Sequence, residues 1–139
     1  MRLVANIEWL LFKRLSSINY SFQIMSGKQF IWYKIADSMS ELNFGNNNLA
    51  LAEANGKKIC IGKFNESLFA FAYKCPHAGG IMAEGFIDAL GNVVCPLHRY
   101  KYDMSNGRNV SGEGYYLKHW PLEIREDGVW VGMEKSSWF

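Results

Sequence analysis

The sequence is poor in cysteine, histidine and proline, with three of each among 139 residues, and it has no excess of one charge. A formal net charge of +2 is too small to indicate nucleic acid or a membrane surface as a partner. No apolar run is long enough to span a bilayer. Internal repeats and low-complexity segments are also missing. The remaining composition, 49% hydrophobic and 20% charged, is typical of one globular domain with a core of its own.

The residues that are abundant favour an all-β fold. Aromatic residues make up 15% of the chain, glycine occurs 13 times, and few stretches have helical periodicity. Runs of β-forming residues predict strands over residues 30–35, 49–54, 58–64, 68–73, 115–125 and 129–133. Turns are predicted at Asn55-Gly56, Asn65-Glu66 and Asp127-Gly128. Antiparallel hairpins follow from this order.

The first 24 residues differ from the rest of the chain. Apolar residues there recur at helical spacing, which is compatible with a short amphipathic helix that docks on a partner or a membrane. Asn6 and Glu8 interrupt the apolar run that a signal peptide would need. The alternative is a loosely ordered extension, or sequence upstream of a start at Met25. We expect a poorly ordered extension at 1–27, one domain at 28–135 and a tail at 136–139.

Two short motifs near the middle of the chain carry the chemistry. Cys75-Pro76-His77 is followed, after 17 residues, by Cys95-Pro96-Leu97-His98. Each motif supplies one thiolate and one imidazole, with the cysteine first in both. Two cysteines and two histidines in this arrangement predict a metal-ligand set.

These motifs resemble the pattern of the Rieske ferredoxins, in which Cys-x-His and Cys-x-x-His hold one 2Fe–2S cluster. The resemblance covers the four ligands and, more loosely, residues 30–134, so that 28–135 would be a Rieske 2Fe–2S domain. It implies that Cys75 and Cys95 bind one iron, and that His77 and His98 bind the other. The implied fold consists of small stacked antiparallel sheets with a two-loop cluster-binding subdomain at one end.

The mixed ligand set has a chemical consequence. Replacing two thiolates by neutral imidazoles removes negative charge from the cluster and raises its potential, to roughly −150 to +300 mV. In the family the two histidines lie at an exposed tip. By resemblance, His77 and His98 would form the docking surface for redox partners.

Further residues are expected to shape the site: Pro76, Gly79, Gly80, Pro96, Tyr100 and Tyr102. The prolines would stiffen the loops that hold the cysteines, and the glycine pair would let backbone approach the cluster. By resemblance, Tyr102 occupies the place of a tyrosine that donates to a ligand cysteine. Tyr100 stands where members of high potential have a serine donor.

Two departures from the family pattern concern the loops. Arg99 stands where the family commonly has glycine, which leaves the local loop geometry open. The stretch 110–115 lacks the prolines of the family's third loop, so shielding of the cluster would be either looser or performed by Tyr115 and Tyr116.

The remaining cysteine and histidine are expected to be structural. Cys60 lies between two isoleucines and reads as a small core residue, and His119 reads as a strand or surface residue. If Cys75 and Cys95 bind iron, Cys60 is left without a partner for an intramolecular disulfide. That favours a reducing compartment, most simply the cytoplasm.

The resemblance implies a one-electron carrier that passes electrons from a reductase to a terminal oxygenase or similar acceptor, and that is not itself an enzyme. An oxygenase subunit would need a second domain with further histidines, and only His119 is spare. Two alternatives remain: a structural zinc module, since two cysteines and two histidines also suit tetrahedral zinc, and a non-redox accessory subunit of a reductase.

Overall fold

The structure is a computed structural model and describes residues 27–135. The interpretation of residues 1–24 and the predicted tail at 136–139 therefore lie outside the described residues. Trp32–Met133 form one compact unit, which contains all the candidate ligands. Next to this unit in sequence, Lys28 and Glu134 form an exposed ion pair with 3.0 Å between Nζ and Oε1.

Ten strands form three sheets in the described part of the chain, which confirms the all-β prediction. The strands are β1 Phe30–Ala36, β2 Leu49–Ala54, β3 Lys57–Phe64, β4 Ser67–Ala72, β5 Phe86–Ile87, β6 Asn92–Val94, β7 Lys101–Asp103, β8 His119–Trp120, β9 Leu122–Arg125 and β10 Gly128–Glu134. The sheets have the strand orders β1-β10-β9, β2-β3-β4-β8 and β5-β6-β7. The only helical elements described are 3₁₀ turns at Met39–Glu41 and Met82–Glu84. None of the helices between residues 27 and 135 has the length and apolar character needed to cross a membrane.

The four-stranded sheet is buried on both faces. Side chains alternate along a strand, so Ile59 and Ile61 of β3 pack into one core while Cys60 packs into another. The first core also contains Val129 and Val131 of β10. The second core contains both cysteines of the predicted site. This sheet is therefore the rigid layer behind the site, and Cys60 is a core residue as predicted.

Two tight turns set the register of β2, β3 and β4. Asn55 and Gly56 have φ of +51° and +72°, and Asn65 and Glu66 have φ of +48° and +64°. Two consecutive residues with positive φ are what a type I′ hairpin requires. Both hairpins were predicted from the sequence, and both are confirmed.

The predicted strand over residues 115–125 is wrong as one element. Only β8 and β9 form within it; β8 pairs with β4 and β9 pairs with β10. Pro121 lies between them and lacks the N–H that a continuous strand would donate. The final hairpin is confirmed, but its turn is at residues 126–127, and Gly128 opens β10.

Candidate metal centre

The first candidate ligand loop, residues 75–80, follows β4. The Cys75 N–H donates to the carbonyl of Gly80 (2.8 Å), and the Gly79 N–H donates to the carbonyl of Cys75 (3.0 Å). A β-bridge between Lys74 and Ile81 closes the base of the loop. Gly79 has φ of +71°, a left-handed conformation that glycine adopts without steric cost. The glycine pair thus lets six residues turn back on themselves.

The second candidate ligand loop, residues 95–100, joins β6 to β7 and is closed in the same way. The Cys95 N–H donates to the carbonyl of Tyr100 (2.9 Å), and the Arg99 N–H donates to the carbonyl of Cys95 (3.0 Å). Arg99 has φ of +60° and so takes the conformation of Gly79. Arginine in place of the family's glycine therefore does not change the loop. The loop keeps its geometry because Arg99 adopts a left-handed backbone.

The two thiols lie inside the second core. Cys75 is 4% exposed and Cys95 is 2% exposed. Burial raises the pKa of the Cys95 thiol, and a hydrogen bond with Cys75 raises it further, while backbone N–H groups at Leu97 and His98 act in the opposite direction. Both thiols therefore lie in the same core, as two ligands of one iron would.

Tyr102 is completely buried beside the first thiol. Its Oη lies 3.4 Å from Sγ of Cys75. Burial raises the pKa of Tyr102 above its usual range, and the hydrogen bond with Cys75 raises it further. The phenol therefore stays protonated and can donate to the sulfur.

The two imidazoles lie together further out. The ring centroids of His77 and His98 are 4.9 Å apart, with the rings at 69°. Tyr100 stacks on His77 at 4.3 Å between centroids, and Tyr115 lies at 5.1 Å on the same ring. His98 is exposed and His77 is half-buried. The imidazole pair thus reaches the surface with aromatic rings around one member.

Of the two tyrosines expected to shield the cluster, only Tyr115 lies beside a candidate ligand. Tyr115 contacts His77, but the Oη of Tyr116 lies 2.9 Å from Nδ1 of His119. His119 therefore lies in β8, hydrogen-bonded to a tyrosine, and is not among the four candidate ligands. The sequence did not single out Asn109, whose side chain organises the loop that carries Tyr115. An asparagine shortly before two glycines was the available signal for such a turn.

The turn that follows β7 is closed by the carboxylate and the backbone carbonyl of Asp103. Asp103 Oδ1 accepts from the backbone N–H of Ser105 (2.8 Å) and from its hydroxyl (2.6 Å). The Gly107 N–H donates to the carbonyl of Asp103 (2.7 Å).

Pro76 and Pro96, each the second residue of its ligand loop, are exposed.

The site residues fit a [2Fe–2S] cluster. A Cβ added to Gly80 would lie 2.8 Å from Sγ of Cys95 and 3.1 Å from Cβ of Leu97, so the space beside this sulfur depends on the missing side chain. Among residues 27–135 no three His, Cys, Asp or Glu side chains gather to hold a single ion. The candidate ligands instead form a thiol pair and an imidazole pair, which is the donor set that two irons with different ligands require.

Comparison with known proteins agrees with this donor set. The sequence model of the Rieske [2Fe-2S] domain matches residues 31–117. The ferredoxin component of a naphthalene 1,2-dioxygenase system from Pseudomonas aeruginosa is 24% identical over 79 residues, which cover 56% of this chain and 75% of the relative.

Two solved structures have the same fold. One is a chain of the complex of reduced oxygenase and oxidised ferredoxin in carbazole 1,9a-dioxygenase, with a TM-score of 0.64, 21% identity, and coverage of 77% of this chain and 97% of that chain. The other is a protein described as the small subunit of an NADH-dependent nitrite reductase from Mycobacterium tuberculosis. Its TM-score is 0.64 at 16% identity, with coverage of 76% and 96%.

An all-β domain with two hairpin loops that present sulfur and imidazole donors defines an iron–sulfur protein. Because the family match spans more than half of the sequence, the chain belongs to the Rieske [2Fe-2S] domain family. The family's cofactor is one [2Fe–2S] cluster per chain. The predicted recognition of a Rieske-type [2Fe–2S] protein is confirmed, and the naphthalene relative is the ferredoxin component of its dioxygenase system.

Proposed function

We propose that the chain carries single electrons from a reductase to an oxygenase-like acceptor through a cluster bound by Cys75, Cys95, His77 and His98. The observation that supports this proposal best is the separation of the two donor pairs. The thiols are 4% and 2% exposed, whereas His98 is exposed and His77 half-buried. The bound cluster would supply a reversible one-electron couple at a potential raised by imidazole ligation.

Each pair of donors has its own part in this function. Cys75 and Cys95 would bind the inner iron in the core, where Tyr102 can donate to one sulfur and so stabilise added negative charge. His77 and His98 would bind the outer iron. Their rings would form the contact with a redox partner, because an electron leaves most easily where the site meets the surface.

The nature of the partners is supported by the relatives. The naphthalene relative is a component of a dioxygenase system, and the carbazole structure is a complex of a ferredoxin with its oxygenase. We infer an acceptor of this class, with a reductase as donor. Free cysteines throughout the described residues suit a reducing compartment, and the cytoplasm is the simplest proposal.

The accessory-subunit alternative has one observation in its favour, the fold shared with the nitrite reductase small subunit. At 16% identity that likeness concerns the fold alone. A non-redox subunit would not need two thiols and two imidazoles converging from two loops, so the carrier is the better proposal. A structural zinc module would need all four ligands around one ion, whereas here the thiols and the imidazoles form two pairs.

Electron paramagnetic resonance of the purified, dithionite-reduced protein tests the proposal. Mixed ligation predicts an average g value below that of all-thiolate clusters, and a coloured oxidised protein with two irons per chain. His77→Ala should abolish this spectrum while circular dichroism shows an intact β fold. The matched control is His119→Ala, which removes a histidine that is not among the four candidate ligands and should leave the spectrum unchanged. A colourless protein with one zinc would contradict the carrier.

A further inference from the structure

The loop that carries Tyr115 has a sequence that does not favour one conformation. Residues 109–114 contain no proline, and Gly112 and Gly114 have φ of +95° and +82°. A Cβ added at either glycine would meet nothing within 4 Å, so packing does not fix them. A glycine that no neighbour packs against has more backbone freedom than any other residue. Another feature must therefore hold Tyr115 at 5.1 Å from the ring of His77.

After Tyr115, a β-bridge between Arg108 and Tyr116 anchors the chain. Before Tyr115, the side-chain amide of Asn109 holds the loop. Its Oδ1 accepts hydrogen bonds from three successive backbone N–H groups, those of Gly112 (2.9 Å), Glu113 (2.7 Å) and Gly114 (3.2 Å). One oxygen atom thus fixes the backbone immediately before Tyr115.

The other end of the amide ties the loop to β7. Nδ2 of Asn109 donates to the carbonyl of Lys101 (3.2 Å) and to Oγ of Ser111 (3.3 Å). Oγ of Ser111 accepts from the N–H of Lys101 (2.9 Å) and donates to Oε2 of Glu113 (2.6 Å). Lys101 directly follows Tyr100, the residue stacked on His77. The loop is therefore anchored beside the other aromatic ring that covers this imidazole.

We propose that Asn109 is a positioning residue that holds Tyr115 against His77 and thereby lowers the reduction potential of the cluster. This inference rests on the proposed function. Reduction adds negative charge to the cluster, and surroundings that exclude water disfavour the more charged state. The ring of Tyr115, itself 41% exposed, lies beside the imidazole and limits the access of water to it, so releasing the ring favours reduction. The negative carboxylate of Glu113, held on the same loop, also disfavours the charge added on reduction and so lowers the potential.

Potentiometric titration of the holoprotein tests the proposal. The variants are made in a Glu113→Gln background, so that movement of a carboxylate does not contribute to the shift. Asn109→Ala is expected to raise the midpoint potential while the reduced spectrum keeps its mixed-ligand form. Tyr115→Ala should raise it as well. The double variant should match Tyr115→Ala alone, because Asn109 acts through this ring.

Asn106→Ala is the matched control. Its Oδ1 also accepts a backbone N–H, that of Arg108 at 2.9 Å, but it lies in the preceding turn and makes no bond to the Tyr115 loop. Its potential should equal that of the background. If Asn109→Ala does not assemble the cluster, Ser111→Ala replaces it. This variant removes the bond from the N–H of Lys101 and should also raise the potential.

Two results would overturn the proposal. One is an unchanged midpoint potential, with the cluster intact, in Asn109→Ala or in Ser111→Ala where that variant replaces it. The other is additive shifts in the double variant. Neither result affects the carrier function, which fails separately if the unmodified protein lacks the mixed-ligand spectrum.

Discussion

Gly79 and Arg99 occupy the same position in the two candidate ligand loops. Each is the fourth residue after a cysteine, each donates its N–H to the carbonyl of that cysteine at 3.0 Å, and both have positive φ, +71° and +60°. The two loops are thus one backbone design used twice. Glycine adopts this conformation without cost, but in other residues a left-handed backbone costs roughly 1–2 kcal/mol. The second loop is therefore the strained one.

Replacing Arg99 by glycine is expected to stabilise the protein. Relief of the left-handed backbone exceeds the added flexibility of the unfolded chain, so we expect a gain of about 0.5 to 1 kcal/mol in the free energy of unfolding. Urea denaturation measures it. Ala78→Gly, at an exposed position of the first loop outside the left-handed region, is the control and should destabilise the protein. Equal losses in both variants would contradict the assignment of strain to Arg99.

Gly80→Ala is expected to block assembly of the cluster. The new Cβ would lie 2.8 Å from Sγ of Cys95, a distance that requires the sulfur or the loop to move. Iron and acid-labile sulfide per chain measure the loss. Gly79→Ala is the neighbouring control: it has open space around its Cβ and suffers only backbone strain of about 1 kcal/mol. It should therefore retain the cluster, and equal iron content in both variants would show that the sulfur does not need this space.

Tyr102→Phe is expected to lower the midpoint potential while the fold remains. The phenol can donate to Sγ of Cys75 at 3.4 Å, and a donor to sulfur stabilises the reduced, more negative cluster. A difference of about 1 kcal/mol between the two redox states corresponds to about 40 mV for one electron. Tyr33→Phe, in the other core, is the control and should leave the potential unchanged. A rise in potential would contradict the assignment of the Tyr102 hydroxyl as a donor to this sulfur.

The sequence predicted those parts of the fold whose cause is local. Strands β1 to β4 follow from runs of β-branched and aromatic residues, and their turns follow from residues such as Asn55-Gly56 that adopt positive φ. The candidate ligands are recognisable because cysteine and histidine occur together twice, in two short motifs. These features need only neighbouring residues, so a single sequence contains them.

The features that were missed depend on residues far apart or on very short segments. Strands β5 to β7 have two or three residues each, too few for a period to show. Asn109 reads as an ordinary loop residue until the structure places its amide beside the backbone of Lys101. The break at Pro121 could have been predicted, because a proline inside a run of β residues weakens the assignment of a strand.

Cys60 should make the stability of the protein fall in alkaline solution. Burial raises its pKa from 9.0 to about 12. Between these values the unfolded chain loses the thiol proton and the folded chain keeps it, so the unfolded state binds fewer protons and gains stability as the pH rises. The contribution is fully present below pH 9 and is lost towards pH 12, by about 1 kcal/mol between pH 9 and pH 10.

Urea denaturation of the holoprotein and of Cys60→Ala across this pH range isolates the contribution of Cys60. The variant has a small core cavity and is expected to be the less stable protein near pH 8. Because it has no thiol to ionise at this position, the difference between the two proteins should shrink as the pH rises. A constant difference from pH 8 to pH 10 would show that the Cys60 thiol ionises equally in both states, and that its burial does not resist the charge.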